Sequence, residues 1–584
     1  MNDPAAAAAI WRRLAQWLCA AAPVLALVAA ANLIAVRHCG RETTLYEADH
    51  VAYWSLTRSL AESAARSPWG AVAEISASVN RELNLLPSLP LAPFVGLGHG
   101  TRLAYLLAVI DVYALAALLL LAAVVARLAG ERRPAWIGGW GVAAAVLLLP
   151  AWWQPVALGY LDVGGVAIAA LVLLAWWAAG SGRGSLVPWL AMGFSLALLA
   201  IFRRWWAFWS VTWCAVVALE ALWLLVTLRP WTWGGARRVL RGPAFAAAAA
   251  VATLLLVAPA RVATIAGTDW VDTLAAYKRH AGIAGELGEM GSRWGLLPLA
   301  LLAAAVVVGL RSRPTRRPVA MLAVQGVLIF ALFRRLQDPS PQHWYLYLPG
   351  LTVLLGLLLV QVAAALRRPI PRAVWIAAAT LAGLAVSATV LSDRPGDGPW
   401  GRLTPGFRIR PAVRHDLDEV RRLLAHLDQR LAVAPGWVYV LAVRGPLTDT
   451  GLGFANLSLG TEFTSPGFVL SSAHVDRRDG FPDNLLQARY IVLPEPIQAP
   501  EPPVHARVAA EPARCLLDGE GIGRAFRRGR EVFVFDGGVR ASIWDLVRPL
   551  TADDVAVLSA RLRAYYPDRP DIWQPPTPGQ PPGS

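Results

Sequence analysis

The sequence predicts a mainly α protein: a polytopic bundle of membrane-spanning helices with a small extracytoplasmic α/β domain at its C-terminal end. Of the 584 residues, 56% are hydrophobic and only 16% are charged, against roughly 45–50% and about 25% in soluble domains. The apolar residues come in long blocks, each near the roughly 20 residues that a membrane span needs. Charge and proline then rise after about residue 392. The same figures exclude a single soluble domain, a disordered chain, a collagen and a disulfide scaffold.

Arg12 and Arg13 precede an apolar run to about Val36. The run is long for a signal peptide and has no small-x-small cleavage site, so it reads as an uncleaved first span. Further blocks lie near 103–126, 135–153, 156–179, 186–202, 205–228, 243–260, 294–310, 318–333, 345–366 and 373–391, which makes about eleven spans. With the N-terminus in the cytoplasm, the inside loops hold Arg127, Arg132 and Arg133; Arg183; Arg229, Arg237, Arg238 and Arg241; Arg311, Arg313, Arg316 and Arg317; and Arg367, Arg368 and Arg372. This is the positive-inside pattern, and an odd number of spans puts the C-terminus outside.

Two large pieces then face outward, the loop 37–101 and the tail from about Ser392. The expected organisation is a transmembrane domain over 1–391 that includes this loop, an α/β domain over 392–573 and a Pro-rich, disordered end over 574–584. Within the tail, 416–432 has helical periodicity, while 437–443, 488–493 and 530–535 read as strands. The charge balance, 54 basic against 39 acidic residues or +15, belongs to membrane topology rather than to nucleic-acid binding. Lys278 is the only lysine. With the wealth of Ala, Gly, Pro and Arg, this composition points to a GC-rich bacterial genome and hence to a bacterial plasma membrane. The four cysteines show no metal-ligand spacing, and Cys39 and Cys515 would share the oxidising side, where a disulfide is possible.

Charges that break the membrane pattern are the candidates for function. Tyr46-Glu47-Ala48-Asp49-His50 puts two carboxylates and a histidine just after the first span; the alternative is a solvated loop. Leu56, Leu60 and Ala64 follow at helical spacing, and 85–97 is apolar and Pro-punctuated, which suggests helices on the membrane surface. Asp162 falls near the outer end of the fourth span. Asp111 fits a helix-packing hydrogen bond, and Glu220 is of similar kind. Arg203 and Arg204, in Phe202-Arg203-Arg204-Trp205-Trp206, occupy an outward turn against the positive-inside bias. They either snorkel to headgroups or bind a phosphate through paired hydrogen bonds. Lys278, Arg279 and His280, then Arg334, Arg335 and His343, add cations to the same face. A carboxylate can take a proton from an attacking hydroxyl, and cations can stabilise a leaving phosphate. Together they suit glycosyl transfer from a polyprenyl-phosphate sugar.

The layout resembles the GT-C class of integral membrane glycosyltransferases, near the bacterial aminoarabinose transferase, protein mannosyltransferase and RgtA-like members. Glu47-Ala48-Asp49 matches the ExD form of the family's acidic motif, with Tyr53 following. Leu86-Pro87-Ser88-Leu89-Pro90-Leu91 is similar to its "PPLY" segment but lacks the adjacent prolines and the tyrosine. Gly159-Tyr160-Leu161-Asp162 resembles its aspartate before span four, and Gly193-Phe194 through Arg203-Arg204 its "Gly…Leu…Arg" hairpin. His343-Trp344-Tyr345-Leu346-Tyr347-Leu348-Pro349 is similar to its late "RY..P" segment. The resemblance covers roughly residues 15–390.

It implies an inverting transferase with Asp49 as general base and Glu47 assisting. Arg203, Arg204, Lys278 and His343 would hold the donor phosphate, supported by Asp162 and His50. Some relatives use a divalent cation and some do not; Glu47 and Asp49 would hold one. The implied partners are a polyprenyl-phosphate-linked sugar, membrane lipid, and a glycan, lipid or protein acceptor. Two rivals belong to other classes. A multi-pass transporter would place ionisable groups near the midplane in repeated halves. A non-catalytic polysaccharide assembly or export subunit would work through the tail, with 474–480 as its contact.

Overall fold

The computed structural model describes residues 4–81, 83–130, 134, 136–180, 185–278, 282–392, 400–498 and 503–575. Arg132, Arg133, Arg183, Arg279, His280 and the end beyond 575 lie outside the described residues, as do the side chains of Arg12 and Arg13. The chain forms two compact units. The first takes residues 1–40, 53–268 and 280–410, and the second 41–52, 269–279 and 411–584.

The first unit is helical. Among the described residues, eight helices are long and apolar enough to cross a membrane: Leu18–Cys39, Arg102–Ala129, Val163–Gly180, Trp206–Thr227, Trp233–Val257, Arg313–Phe333, Leu348–Ala365 and Pro369–Leu391. Two bent pairs raise the number to ten, Trp136–Leu148 with Pro150–Leu158 at 85° and Ile283–Trp294 with Leu296–Arg311 at 101°. Val187–Phe202 is apolar but shorter. Every predicted apolar block therefore meets a helix, although length alone qualifies eight to ten rather than eleven. The block at 156–179 is displaced: its span starts at Val163. Pro150 ends the preceding helix Trp136–Leu148 because proline has no N–H and clashes with the turn before it, Pro155 stands in the first turn of Gln154–Leu158, and Gly159 turns the chain at φ +91°. Close approach depends on small residues. A Cβ on Gly193 would sit 2.2 Å from the Ala246 carbonyl oxygen.

The predicted helix through Leu56, Leu60 and Ala64 is Asp49–Arg66. Leu60 packs with Ala71 and Ala92, from Pro68–Ser78 and Ala92–Leu97. Trp69, Phe94 and Leu97 stay exposed.

The second unit is α/β. Its sheet runs β1 (Trp437–Val440), β2 (Ala488–Glu495), β4 (Arg540–Leu546), β3 (Phe526–Val534). β1 is parallel to β2, and the other two pairings are antiparallel. Side chains alternate across a strand, so Tyr490 and Val492 join Val420, Leu424 and Leu427 of the helix Leu417–Val433 on one face. Ile491 and Leu493 join Val508, Leu516, Leu558 and Leu562 on the other. Each large side chain so buried contributes about 1.5–3 kcal/mol. The predicted helix and three strands are present; β4 was not expected. Ala541, Ser542, Ile543 and Trp544 are all buried, and a strand covered on both faces shows no polar alternation.

Residues 41–52 belong to this unit through backbone pairing. Thr43 N donates to Ala412 O at 2.9 Å and Arg414 N to Thr43 O at 2.7 Å, and Leu45 enters the core beside Val420. The disulfide expectation fails. Cys515 is a free thiol and a core residue at 0% exposure, where a small apolar thiol packs well.

One ion pair sets an acid limit on this unit. Arg548 donates to Asp554 at 2.6 and 3.0 Å, and Thr551 donates its backbone N–H at 3.0 Å and its hydroxyl at 2.9 Å. The Arg548 hydrogen bonds hold this carboxyl well below the usual carboxylate range. A lowered folded-state pKa stabilises the fold above the unfolded value near 3.9, and the contribution fades as pH falls below it. Asp554→Asn is expected to cost about 1–3 kcal/mol at neutral pH, with the gap to the parent narrowing below about pH 4. Thermal unfolding of the full chain in detergent across pH checks both; a gap independent of pH contradicts the assignment.

Candidate active site

In the first unit the site grows from two chain reversals. Arg203 follows the helix Val187–Phe202 in extended conformation and leads into Trp206–Thr227. Asp162 directly precedes Val163–Gly180. Their side chains, 6% and 2% exposed, meet with Nε 3.4 Å from Oδ1, and the Arg203 guanidinium lies 4.7 Å from the Tyr53 ring centroid. Gly164 and Gly165 make this approach possible, because a Cβ there would strike Phe202, Tyr113 and Trp206. Below the pair, Arg102 donates to Leu158 O at 2.9 Å and Tyr105 Oη to Gly159 O at 2.8 Å. A Cβ at Gly159 would lie 2.4 Å from the Arg102 guanidinium nitrogens, which is why glycine stands there.

Beside this layer, the rings of Trp205 and His343 meet edge to face at 4.4 Å, and Arg204 stacks 4.4 Å over Trp205. His343 is 2% exposed. Its Nδ1 accepts from Ser340 N at 2.9 Å and lies 3.2 Å from Gln337 Nε2. A backbone N–H can only donate, so the neutral ring carries its proton on Nε2. Among the described residues that Nε2 has no hydrogen-bond partner. Burial, then Arg203 and Arg204, lower the imidazole pKa well below its ordinary value, which keeps the ring neutral and its N–H available to an acceptor.

Arg203, Arg204, His343 and Asp162 thus gather in the first unit. Lys278 is exposed in the second. Arg334 pairs with Glu286 at 3.1 Å. Asp111 accepts from Asn32 Nδ2 at 2.7 Å within a π-helical turn, Val109–Ala114, and Glu220 is bound by Arg317 and by Trp176 Nε1 at 3.3 Å. Both are the structural contacts expected of them.

The acidic motif belongs to the second unit. Glu47 is half-buried and accepts from Thr448 Oγ1 at 3.0 Å. Burial raises its pKa above that of an ordinary glutamic acid, against the Thr448 hydrogen bond and the charges of Arg414 and Arg444. Asp49 opens the helix Asp49–Arg66, whose N-terminal dipole favours a negative charge. His50 follows in its first turn, its N–H donating to Glu47 O at 3.1 Å. Among the described residues, no three His, Cys, Asp or Glu side chains converge as a metal site. Glu47 and Asp49 are the carboxylates that would hold a divalent cation.

Sequence reasoning missed Arg102, which stands at the head of a span and reads as a flanking charge. It also missed Thr448 and Thr450, since a Thr-Asp-Thr triplet in a loop has no signature of its own.

The bent spans, the helices within 49–97 and the α/β unit make up a membrane fold of the GT-C type. Among solved structures, the chain is similar to ArnT from Cupriavidus metallidurans bound to undecaprenyl phosphate. The two share 14% identity over 89% of this chain and 97% of that one, at a TM-score of 0.51. It also matches the archaeal oligosaccharyltransferase AglB from Archaeoglobus fulgidus, in complex with an inhibitory peptide and a dolichol-phosphate. There the identity is 10% over 80% of this chain and 69% of that one, with a TM-score of 0.41. No family model and no curated protein matches the sequence.

Proposed function

We propose that the protein is an inverting glycosyltransferase that moves a sugar from a polyprenyl-phosphate donor to an acceptor hydroxyl at the extracytoplasmic face of a bacterial inner membrane. The N-terminus is cytoplasmic in this reading and the tail extracytoplasmic. The observation that carries it is the gathering of Arg203, Arg204 and the buried His343 N–H, on a fold shared with ArnT, whose solved structure holds undecaprenyl phosphate.

Asp49 takes the proton of the acceptor hydroxyl as its oxygen attacks the anomeric carbon. The bond from that carbon to the phosphate oxygen breaks on the opposite face, which inverts the centre. Charge grows on the departing polyprenyl phosphate, and guanidinium and N–H donors stabilise that charge. Asp162 holds Arg203 in place, and Glu47 and His50 support the base. Lys278 is a further phosphate cation in this reading.

Arg204 gives the test. It is half-buried over Trp205, so lysine fits the space but loses the planar paired donors. Arg204→Lys is expected to weaken undecaprenyl phosphate binding about tenfold, the loss of roughly one charge-assisted hydrogen bond of about 1.4 kcal/mol. Binding by the purified protein in nanodiscs measures this. Unchanged affinity assigns Arg204 to anchoring the helix end and removes it from the phosphate site.

A further inference from the structure

We propose that the C-terminal domain is part of the catalytic apparatus, with Thr448 and Thr450 as positioning residues that fix the conformation of the acidic motif. The inference rests on the reading of Glu47 and Asp49 above and extends it to residues some 400 positions away in the chain.

The contacts form a directed chain. Ala48 N–H donates to Thr450 Oγ1 at 3.0 Å. Thr450 Oγ1 lies 3.4 Å from Thr448 Oγ1, and Thr448 Oγ1 donates to Glu47 Oε2 at 3.0 Å. Thr448 Oγ1 also accepts from Gly451 N at 3.0 Å, so its one proton points at Glu47. Thr448 is 4% exposed, and a buried hydroxyl with both roles filled has one orientation. One residue further back, Tyr46 N donates to Ser458 Oγ at 3.1 Å.

The backbone between these contacts is strained. Ala48, the central residue of the motif, has φ +49°, a left-handed conformation that L residues other than Asn and Asp rarely adopt. Such a conformation persists only where the surroundings over-determine it. Here the surroundings include hydroxyls of the C-terminal domain on Tyr46 N, on the Glu47 carboxylate and on Ala48 N. The twist lets Glu47 turn to Thr448 while Asp49 begins the next helix. Without the threonines, only the first-turn bonds from Val51 N and Ala52 N to the Ala48 carbonyl remain among these contacts at Ala48.

The same domain holds the other outward loop of its unit. Asp272 is bound by Arg477 and by Arg569 Nη1 at 2.9 Å, and Arg478 donates to Tyr277 Oη at 2.5 Å. The 474–480 stretch is therefore a clamp on the segment that carries Lys278. The charged groups facing Glu47 are Arg414, Arg444 and Asp449, and Asp449 is 3.3 Å from His474 Nε2.

The experiment uses the full chain with Thr448→Val, Thr448→Ser and Thr450→Val beside Asp49→Asn. In Thr448→Val, Glu47 loses the hydrogen bond that orients it. kcat is expected to fall at least about tenfold with little change in donor KM, since misplaced reacting groups cost rate. Thr448→Ser, which keeps the hydroxyl, restores it. Thr450→Val is expected to speed hydrogen exchange at the Ala48 amide with the global melting temperature unchanged, a readout that needs no activity. If Asp49→Asn abolishes transfer while Thr448→Val keeps the parental kcat, the positioning role is overturned and the site reading stands. If Asp49→Asn transfers normally, the site reading falls, and the Ala48 exchange rate alone decides whether the domain holds the motif.

Discussion

Asp49→Asn is expected to lower glycosyl transfer by about 10²–10⁴-fold, the usual contribution of a general base, while the protein inserts and melts as the parent does. Asparagine keeps the shape of the side chain and can still stand at the start of the helix Asp49–Arg66, but it cannot take a proton. Glu47 is the weaker candidate for the base. One of its oxygens accepts from Thr448, and burial raises its proton affinity. Transfer from a polyprenyl-phosphate sugar in reconstituted vesicles, with a melting curve on the same sample, measures both halves. Activity within a few-fold of the parent moves the base to another carboxylate, Glu47 first.

The second large effect is on stability. Asp162 and Arg203 are both nearly enclosed. Removing one member of a buried pair leaves a charge without its partner and costs about 3–5 kcal/mol, whereas replacing both with apolar residues of similar volume is often close to neutral. Asp162→Ala is therefore expected to reduce the yield of folded protein sharply, and Asp162→Leu with Arg203→Met to restore much of it. The double variant separates two roles of Arg203. If the pair only supports the fold, transfer returns with stability. If Arg203 also meets the donor phosphate, the recovered protein stays inactive. An Asp162→Ala single variant as stable as the parent contradicts the pairing itself.

The apolar blocks located the spans because a bilayer demands continuous hydrophobic length, and that demand is written in the sequence. The break at 150–162 was less legible. Two prolines and Gly159 decide it, inside a stretch whose hydropathy alone reads as two adjoining spans. Asp162, Arg203 and the acidic motif stand out in the sequence because charge is costly near a membrane. Their partners do not. Arg203 lies in the turn between two apolar helices, and its burial against Asp162 and Tyr53 depends on residues 41 and 150 positions away. Thr448 and Thr450 carry no charge, break no pattern and acquire meaning only when the fold brings Glu47 and Ala48 to them. β4 hides for a related reason, since burial on both faces erases its periodicity.

The split of the second unit along the chain bears on how the protein is made. The strip 41–52 leaves the ribosome early, and its partners Thr448 and Thr450 follow about 400 residues later, which at roughly 5–20 residues per second is some 20–80 s. Through that interval most of the hydrophobic helices are synthesised while the Ala48 amide lacks its Thr450 acceptor. A nascent chain, or one cut short before residue 411, carries the acidic motif without the strands and hydroxyls that shape it. On the proposed function, competence arrives with the last third of translation, and an unfinished copy in the membrane is expected to be silent.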